Sequence, residues 1–187
     1  MNVTKRRTIK FLERKEVEQI ITKIKTKGAR NLRDRALIEV LFSTGMRISE
    51  CLSLKLGDIA VMLKEGKREQ AIIGKGGWQR IVFFSPRALK ALESYVLTIG
   101  NSEQEALFPI TSRAAQLMVE RRGIKAGISK KVTPHMFRHS LATDLLRQGV
   151  DIRFVSEFLG HRSLNNTMVY THVVNEQLNE IHRKIYL

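Results

Sequence analysis

Cysteine, proline and acidic side chains are all scarce in this chain. A single cysteine, Cys51, in 187 residues can form neither an internal disulfide nor a cysteine-based zinc site, so a reducing compartment and a cytoplasmic location are expected. Three prolines alongside 43% hydrophobic residues exclude a disordered basic tail. No apolar run approaches the roughly 18–20 residues of a membrane span. The basic stretch Met1–Lys10 has no apolar segment behind it of the kind a secretory signal needs, so no membrane partner is expected. What the chain does have is base: 33 Lys and Arg against 18 Asp and Glu, a formal net charge of +15. That excess points to a polyanionic partner without saying which one. The length suits one domain with a real core, since folding at this size buries roughly 70% of the unfolded surface.

Periodicity organises the rest. Residues 1–10, with Lys5, Arg6, Arg7 and Lys10, read as a basic arm or interdomain linker, and residues 11–187 as one domain. Val17, Ile20, Ile21 and Ile24 recur at helical spacing within Leu12–Ile24, before Gly28 interrupts. A second helix runs from about Asn31 to a C-cap at Gly45, and a short third spans Arg47–Leu54, closed by Gly57. Val61–Leu63, Gln70–Ile73 and Arg80–Phe84 are short β-rich runs separated by Lys64–Arg68 and by Gly74-Lys75-Gly76-Gly77, which predicts a three-stranded antiparallel meander. Helical patterns follow at Pro86–Ile99, Ser112–Ala126, Pro134–Gln148, Ile152–Leu159 and Asn175–Ile185. The expected class is α+β, mainly α, with one small sheet.

Several side chains could carry chemistry. In Thr133-Pro134-His135-Met136-Phe137-Arg138-His139, Pro134 can open a helix that sets His135 and Arg138 roughly 60° apart on one face. A guanidinium, an imidazole and the orphan N–H groups of a helix start make a phosphate site, although an isolated His–Arg pair can equally be a solvated face. His135 and His139 at i,i+4 suggest zinc, but the metalloprotease helix needs Glu after its first His and Met136 stands there. Arg47 follows Gly45-Met46 and has Glu50 three residues on, a pair that is often only a surface salt bridge. Gly74-Lys75-Gly76 lacks the Ser or Thr and the earlier Gly of a nucleotide-binding loop. Gly160-His161 closes a helix, and Tyr170-Thr171-His172 comes nine residues later.

In order, Arg47, Lys75, His135-x-x-Arg138, His161 and Tyr170 resemble the signature of the tyrosine site-specific recombinases, closest to the Xer-type chromosome recombinases and related phage integrases. The segments that carry the resemblance are TGMRISECLSLKLGDI (44–59), IGKGGWQRIV (73–82), TPHMFRHSLATDLLRQG (133–149) and LGHRSLNNTMVYTHV (159–173). It implies the helical catalytic domain of that family and cleavage and rejoining of double-stranded DNA. Tyr170 would be the nucleophile, forming a 3′-phosphotyrosyl link that conserves the ester's energy. Arg47 and Arg138 would supply forks to the non-bridging oxygens, and His161 a further donor. Lys75 would protonate the leaving 5′ oxygen, His135 would assist as acid–base partner, and Glu50 would orient Arg47. No cofactor and no metal are implied.

Tyr95, mid-helix between Leu92 and Val96, and Tyr186, in the last turn, are poorer nucleophile candidates. The resemblance also implies a homo- or hetero-oligomer of protomers on DNA, with the terminal helix (Val174, Leu178, Ile181, Ile185) docking on a neighbour; packing on its own domain fits the same pattern. Lys5–Glu16 resembles the family's interdomain linker, while the usual N-terminal core-binding domain is absent. Either a truncated chain or a naturally short recombinase, similar in length to the fimbrial-switch enzymes, is expected. Without that clamp, DNA binding should be weak and steeply salt-dependent. A non-catalytic DNA-binding domain and a type IB topoisomerase-like enzyme are the alternatives.

Overall fold

The computed structural model describes residues 10–74, 77, 79–99 and 105–160. Four helices come first: α1 (Arg14–Thr22), α2 (Ala29–Thr44), α3 (Ile48–Leu52) and α4 (Leu56–Lys64). A hairpin of β1 (Glu69–Ile73) and β2 (Gln79–Phe83) follows, then α5 (Pro86–Val96), α6 (Ser112–Lys125), α7 (Pro134–Arg147) and α8 (Ile152–Leu159).

α2 is the axis of the domain. It packs against α1, α3, α5, α6, α7 and β2, so apolar side chains occur around most of its circumference rather than on one stripe. Ala36, Leu37, Ile38, Val40 and Leu41 are fully buried along it. The Ser85 N–H donates to Ser43 Oγ of α2 at 2.6 Å, while Ser85 Oγ accepts from the Ala88 N–H at 3.2 Å. One serine therefore caps α5 and fastens its start to α2, with Pro86 in the first turn supplying the helical φ. Tyr95 is buried and stacks on Phe108 at 5.7 Å between ring centroids. A smaller apolar cluster (Ala142, Leu146, Val155, Leu159) joins α7 to α8.

The sheet corrects the sequence expectation: among the described residues it has two strands, paired antiparallel from Glu69 with Phe83 to Ile73 with Gln79. Val61–Leu63, expected as the first of three strands, is the last part of α4. Leu56, Ile59 and Met62 point inward at three-residue spacing, while Val61 faces solvent. Ala60, Val61 and Leu63 mask that spacing with an unbroken apolar run, which periodicity cannot assign to strand or helix. Gly57, expected to close α3, lies in the first turn of α4, and α3 instead ends at Ser53.

The chain from Phe11 onward is seated on α7. Leu12 is fully buried, and its N–H donates to Ser140 Oγ at 2.8 Å. Lys130 Nζ donates to the Phe11 carbonyl at 2.9 Å and pairs with Glu16 at 2.7 Å. Arg147 pairs with Glu13 at 2.7 Å and lies over the Phe11 ring at 5.4 Å. Among the described residues no helix is long and apolar enough to cross a membrane. The predicted helix Asn175–Ile185 lies outside the described residues.

Candidate active site

α2 ends where the candidate site begins. Gly45 caps it with φ +62°, and a Cβ there would stand 2.7 Å from Leu159 Cδ2 and 3.0 Å from Leu141 Cδ2. Both the left-handed backbone and the close approach of α7 and α8 therefore demand glycine. Met46, buried behind it, delivers Arg47 to the N-cap of α3 in extended conformation.

Glu50, at the third position of α3, turns back onto that start: its Oε2 accepts the Arg47 N–H at 2.9 Å and its Oε1 accepts Arg47 Nη1 at 2.9 Å. A carboxylate is well placed there, at the positive end of a helix. With 5% of its side chain exposed, Glu50 is not half of a solvated salt bridge. A third group explains how it stays ionised. Arg80, on β2, donates Nη2 to Oε2 at 2.8 Å and Nη1 to Oε1 at 3.1 Å, a bidentate grip. Burial pushes the Glu50 carboxyl up, but the Arg80 and Arg47 hydrogen bonds and the Arg80 charge outweigh it and bring its pKa down to about 2.

Arg138 is buried as well. Its Nη1 donates to the Gly45 carbonyl and its Nη2 to the Leu159 carbonyl, each at 2.6 Å. Those carbonyls belong to the C-terminal ends of α2 and α8, the negative ends of two helices. Arg138 thus locks the residue two before Arg47 to the residue two before His161. His135 lies one turn earlier on α7, exposed, at a helix start that has no side-chain cap among the described residues. Partial desolvation, followed by the charges of Arg138 and Arg47, holds its pKa below the ordinary imidazole value. His135 and Arg138 share α7, and Arg138 holds the Gly45 carbonyl two residues before Arg47. His139, next on the same face, is desolvated and lies near His135 and Arg138, which takes its pKa down to about 4.

Of the residues singled out from sequence, the fold brings Arg47, Glu50, His135 and Arg138 together. Lys75, His161, Tyr170 and Tyr186 lie outside the described residues. Tyr95 is a core ring whose phenol is pushed up by burial, in keeping with its mid-helix pattern. Sequence reasoning missed Arg80. The available signal was strand alternation: Arg80 shares the inward face of β2 with buried Val82, and a cation on an inward face needs an acid to meet it.

The phage integrase family model matches residues 10–177. The chain belongs to the phage integrase family. It is 38% identical over 163 residues to tyrosine recombinase XerD of Corynebacterium glutamicum, covering 82% of this chain and 52% of that protein. Tyrosine recombinase XerC of Pediococcus pentosaceus is 35% identical over 190 residues, covering 94% and 62%. The chain spans about half the length of several curated relatives it matches. Among solved structures, XerA recombinase superposes with a TM-score of 0.78 at 31% identity, covering all of this chain and 66% of that one. XerH recombinase bound to a palindromic difH substrate, in a post-cleavage complex, gives 0.75 at 27% identity, covering 94% and 53%. The mainly helical fold with its small antiparallel sheet is that of this family's catalytic domains.

Proposed function

We propose that this chain is the catalytic part of a site-specific DNA recombinase that cleaves and rejoins double-stranded DNA through a 3′-phosphotyrosyl intermediate. The observation that carries the reading is the buried Arg138 fork, which draws the chain beside Arg47 and the chain leading to His161 onto the helix that presents His135. His135 and Arg138 then share α7, whose N-terminus has no side-chain cap among the described residues and favours anions, and Arg47 follows two residues after the Gly45 that Arg138 holds. In this reading Arg47 and Arg138 stabilise charge on the non-bridging oxygens, and His161 adds a donor. Tyr170 attacks phosphorus, the 5′ oxygen leaves with a proton from Lys75, and attack by a 5′ hydroxyl reverses the step. His135, its pKa depressed by partial burial and then by the charges of Arg138 and Arg47, favours the neutral imidazole and accepts or relays a proton. Membership in a family with recombinase relatives supports this reading over a non-catalytic DNA-binding domain. XerH is seen bound to its difH substrate; DNA is accordingly the partner proposed for this chain too. Protomers are proposed to assemble on it through the C-terminal helix expected at Asn175–Ile185, with action in the cytoplasm.

The test is covalent trapping on nicked duplexes drawn from a randomised pool, where cleavage releases a short fragment and stalls the enzyme on DNA. A protein–DNA adduct that disappears in Tyr170→Phe is expected, and an adduct that survives that change overturns the assignment of the nucleophile. Binding should fall steeply between 50 and 200 mM salt, by roughly 10³-fold or more if six or so phosphates are contacted. Near-constant affinity across that range contradicts backbone-led binding.

A further inference from the structure

We propose that Arg80 is a positioning residue that keeps the fork of Arg47 turned toward substrate by saturating Glu50. The inference rests on the recombinase reading above and deepens it. Arg80 commits both its Nη atoms to the Glu50 carboxylate, so its charge is paired there. Its side chain is 12% exposed, its Nε is buried without a partner among the described residues, and the cap of α8 closes over it. A Cβ on Gly160 would stand 2.9 Å from Arg80 Cδ and 3.2 Å from Nε. The guanidinium is therefore sandwiched between the helix cap and Glu50.

Arg47 is placed differently. It is 29% exposed and gives Glu50 a single side-chain bond, from Nη1, so Nε and Nη2 make no hydrogen bond among the described residues. Each carboxylate oxygen takes one bond from each arginine residue. Without Arg80, two acceptor sites on a buried carboxylate fall vacant beside Arg47. Its planar fork then has the geometry to swing inward into a bidentate grip and withdraw donors from the phosphate. The other course open to Glu50 is to take up a proton, which frees Arg47 to wander. Either way the transition state loses an oriented fork while ground-state DNA contacts persist. β2 also leads away from the turn that contains Lys75 in sequence, so Arg80 ties that hairpin to α3.

Among the described residues the groups facing Glu50 are Arg47 from its own helix start, Arg80 from β2 and the buried thiol of Cys51 next to it. His135 on α7 lies within reach of the Arg47 charge. Among the described residues, only the removal of Arg80 strips Glu50 of a cation and leaves Arg47 in place.

The experiment compares Arg80→Gln, Arg80→Lys, Glu50→Gln and the Arg80→Gln/Glu50→Gln double variant, in the full chain, on the nicked suicide duplex. Each is checked for cooperative thermal unfolding. Arg80→Gln is expected to slow single-turnover cleavage by about tenfold or more, with the half-saturating DNA concentration changed less than about twofold. An acid limb absent from the parent should appear between about pH 5 and 7 as Glu50 regains a carboxylic acid's ordinary behaviour or higher. Arg80→Lys should recover most of the rate, and the double variant should be no slower than Glu50→Gln alone. A cooperatively folded Arg80→Gln with parental rate and pH profile overturns the inference; so does an additive double variant, or a loss confined to DNA affinity. If Arg80→Gln does not fold, Arg80→Lys must show the shifted acid limb in part. If the parent forms no adduct, the functional reading falls instead. Carbon-13 titration of the Glu50 carboxyl, near 2 in the parent and raised in the Arg80 variants, still decides the coupling without DNA.

Discussion

Replacing Arg138 with alanine tests the claim that this residue is a keystone as well as a phosphate ligand. An arginine that served only the substrate would sit among like charges in an open cleft, and its removal would leave stability unchanged or slightly raised. The observed Arg138 is 5% exposed and gives two hydrogen bonds of 2.6 Å to helix-terminal carbonyls. Each bond from a charged donor is worth roughly 1.5–3 kcal/mol, and each carbonyl left unsatisfied forfeits about 1–3 kcal/mol. Water reaching the vacated space offsets part of this, so a net loss of about 3–5 kcal/mol is expected, the usual range for breaking a buried charged contact. For a chain of this length that corresponds to a fall in Tm of roughly 6–20 °C. The assay is urea unfolding followed by circular dichroism, with the midpoint moving and the slope constant. Arg138→Lys should lie between the two, because one ammonium cannot span both carbonyls in the planar arrangement of a fork. A shift of less than about 1 kcal/mol in Arg138→Ala, the size of an exposed pair, refutes the keystone argument.

Acid should unfold the protein in stages. Glu50, held near 2 against an ordinary 4.5, contributes on the order of 3 kcal/mol that is fully present above the ordinary carboxyl value and is lost as pH falls toward 2. Glu50→Gln should therefore flatten urea midpoints plotted between pH 4.5 and 2; an unchanged slope there contradicts the pairing. His139, brought down to about 4, likewise takes up a proton more readily in the unfolded chain, so stability is lost earlier on its account, as pH falls from 6.5 to 4. Its imidazole proton shift in NMR should inflect near 4, and an inflection near 6.5 contradicts the desolvated site. Gly45→Ala should cost about 2–4 kcal/mol, from left-handed backbone plus collision with Leu159 and Leu141. Gly66→Ala has a similar φ, +67°, with open space around it, and should cost only about 1–2 kcal/mol. Equal losses at the two positions would remove close approach as the reason for Gly45.

Legibility from sequence divides along physical lines. α8 is bounded in the chain as in the fold because its ends carry unambiguous chemistry, an Asp151 side chain capping one end and a left-handed Gly160 the other. α5 starts as expected at Pro86 but stops at Val96, since Leu97–Ile99 continue the apolar pattern only as turns. α4 was hidden by its own hydrophobicity. In the site, Arg47 and His135-x-x-Arg138 were visible because their motifs are local, and the Arg47–Glu50 bond is a one-turn contact. What could not be read was how far Arg138 and Arg80 reach. The first spans 93 residues to Gly45, the second 30 to Glu50, and no local periodicity encodes which carbonyl or carboxylate a long side chain will find. Nor does composition separate cations that meet DNA from those consumed inside, such as Arg122, which grips buried Asp34 at 2.6 Å.

The seat of Phe11–Glu16 on α7 has a mechanical meaning. Leu12 is pinned by its buried side chain and by Ser140, Glu13 by Arg147 and Glu16 by Lys130, and Arg147 and Ser140 both stand on the helix that carries His135 and Arg138. Tension or torque that reaches Phe11 is therefore not dissipated in a slack segment between Phe11 and Glu16. It arrives within a few residues at α7, and through the Arg138 fork at the ends of α2 and α8. The segment Phe11–Glu16 works as a stiff handle on the arginine that locks the candidate site.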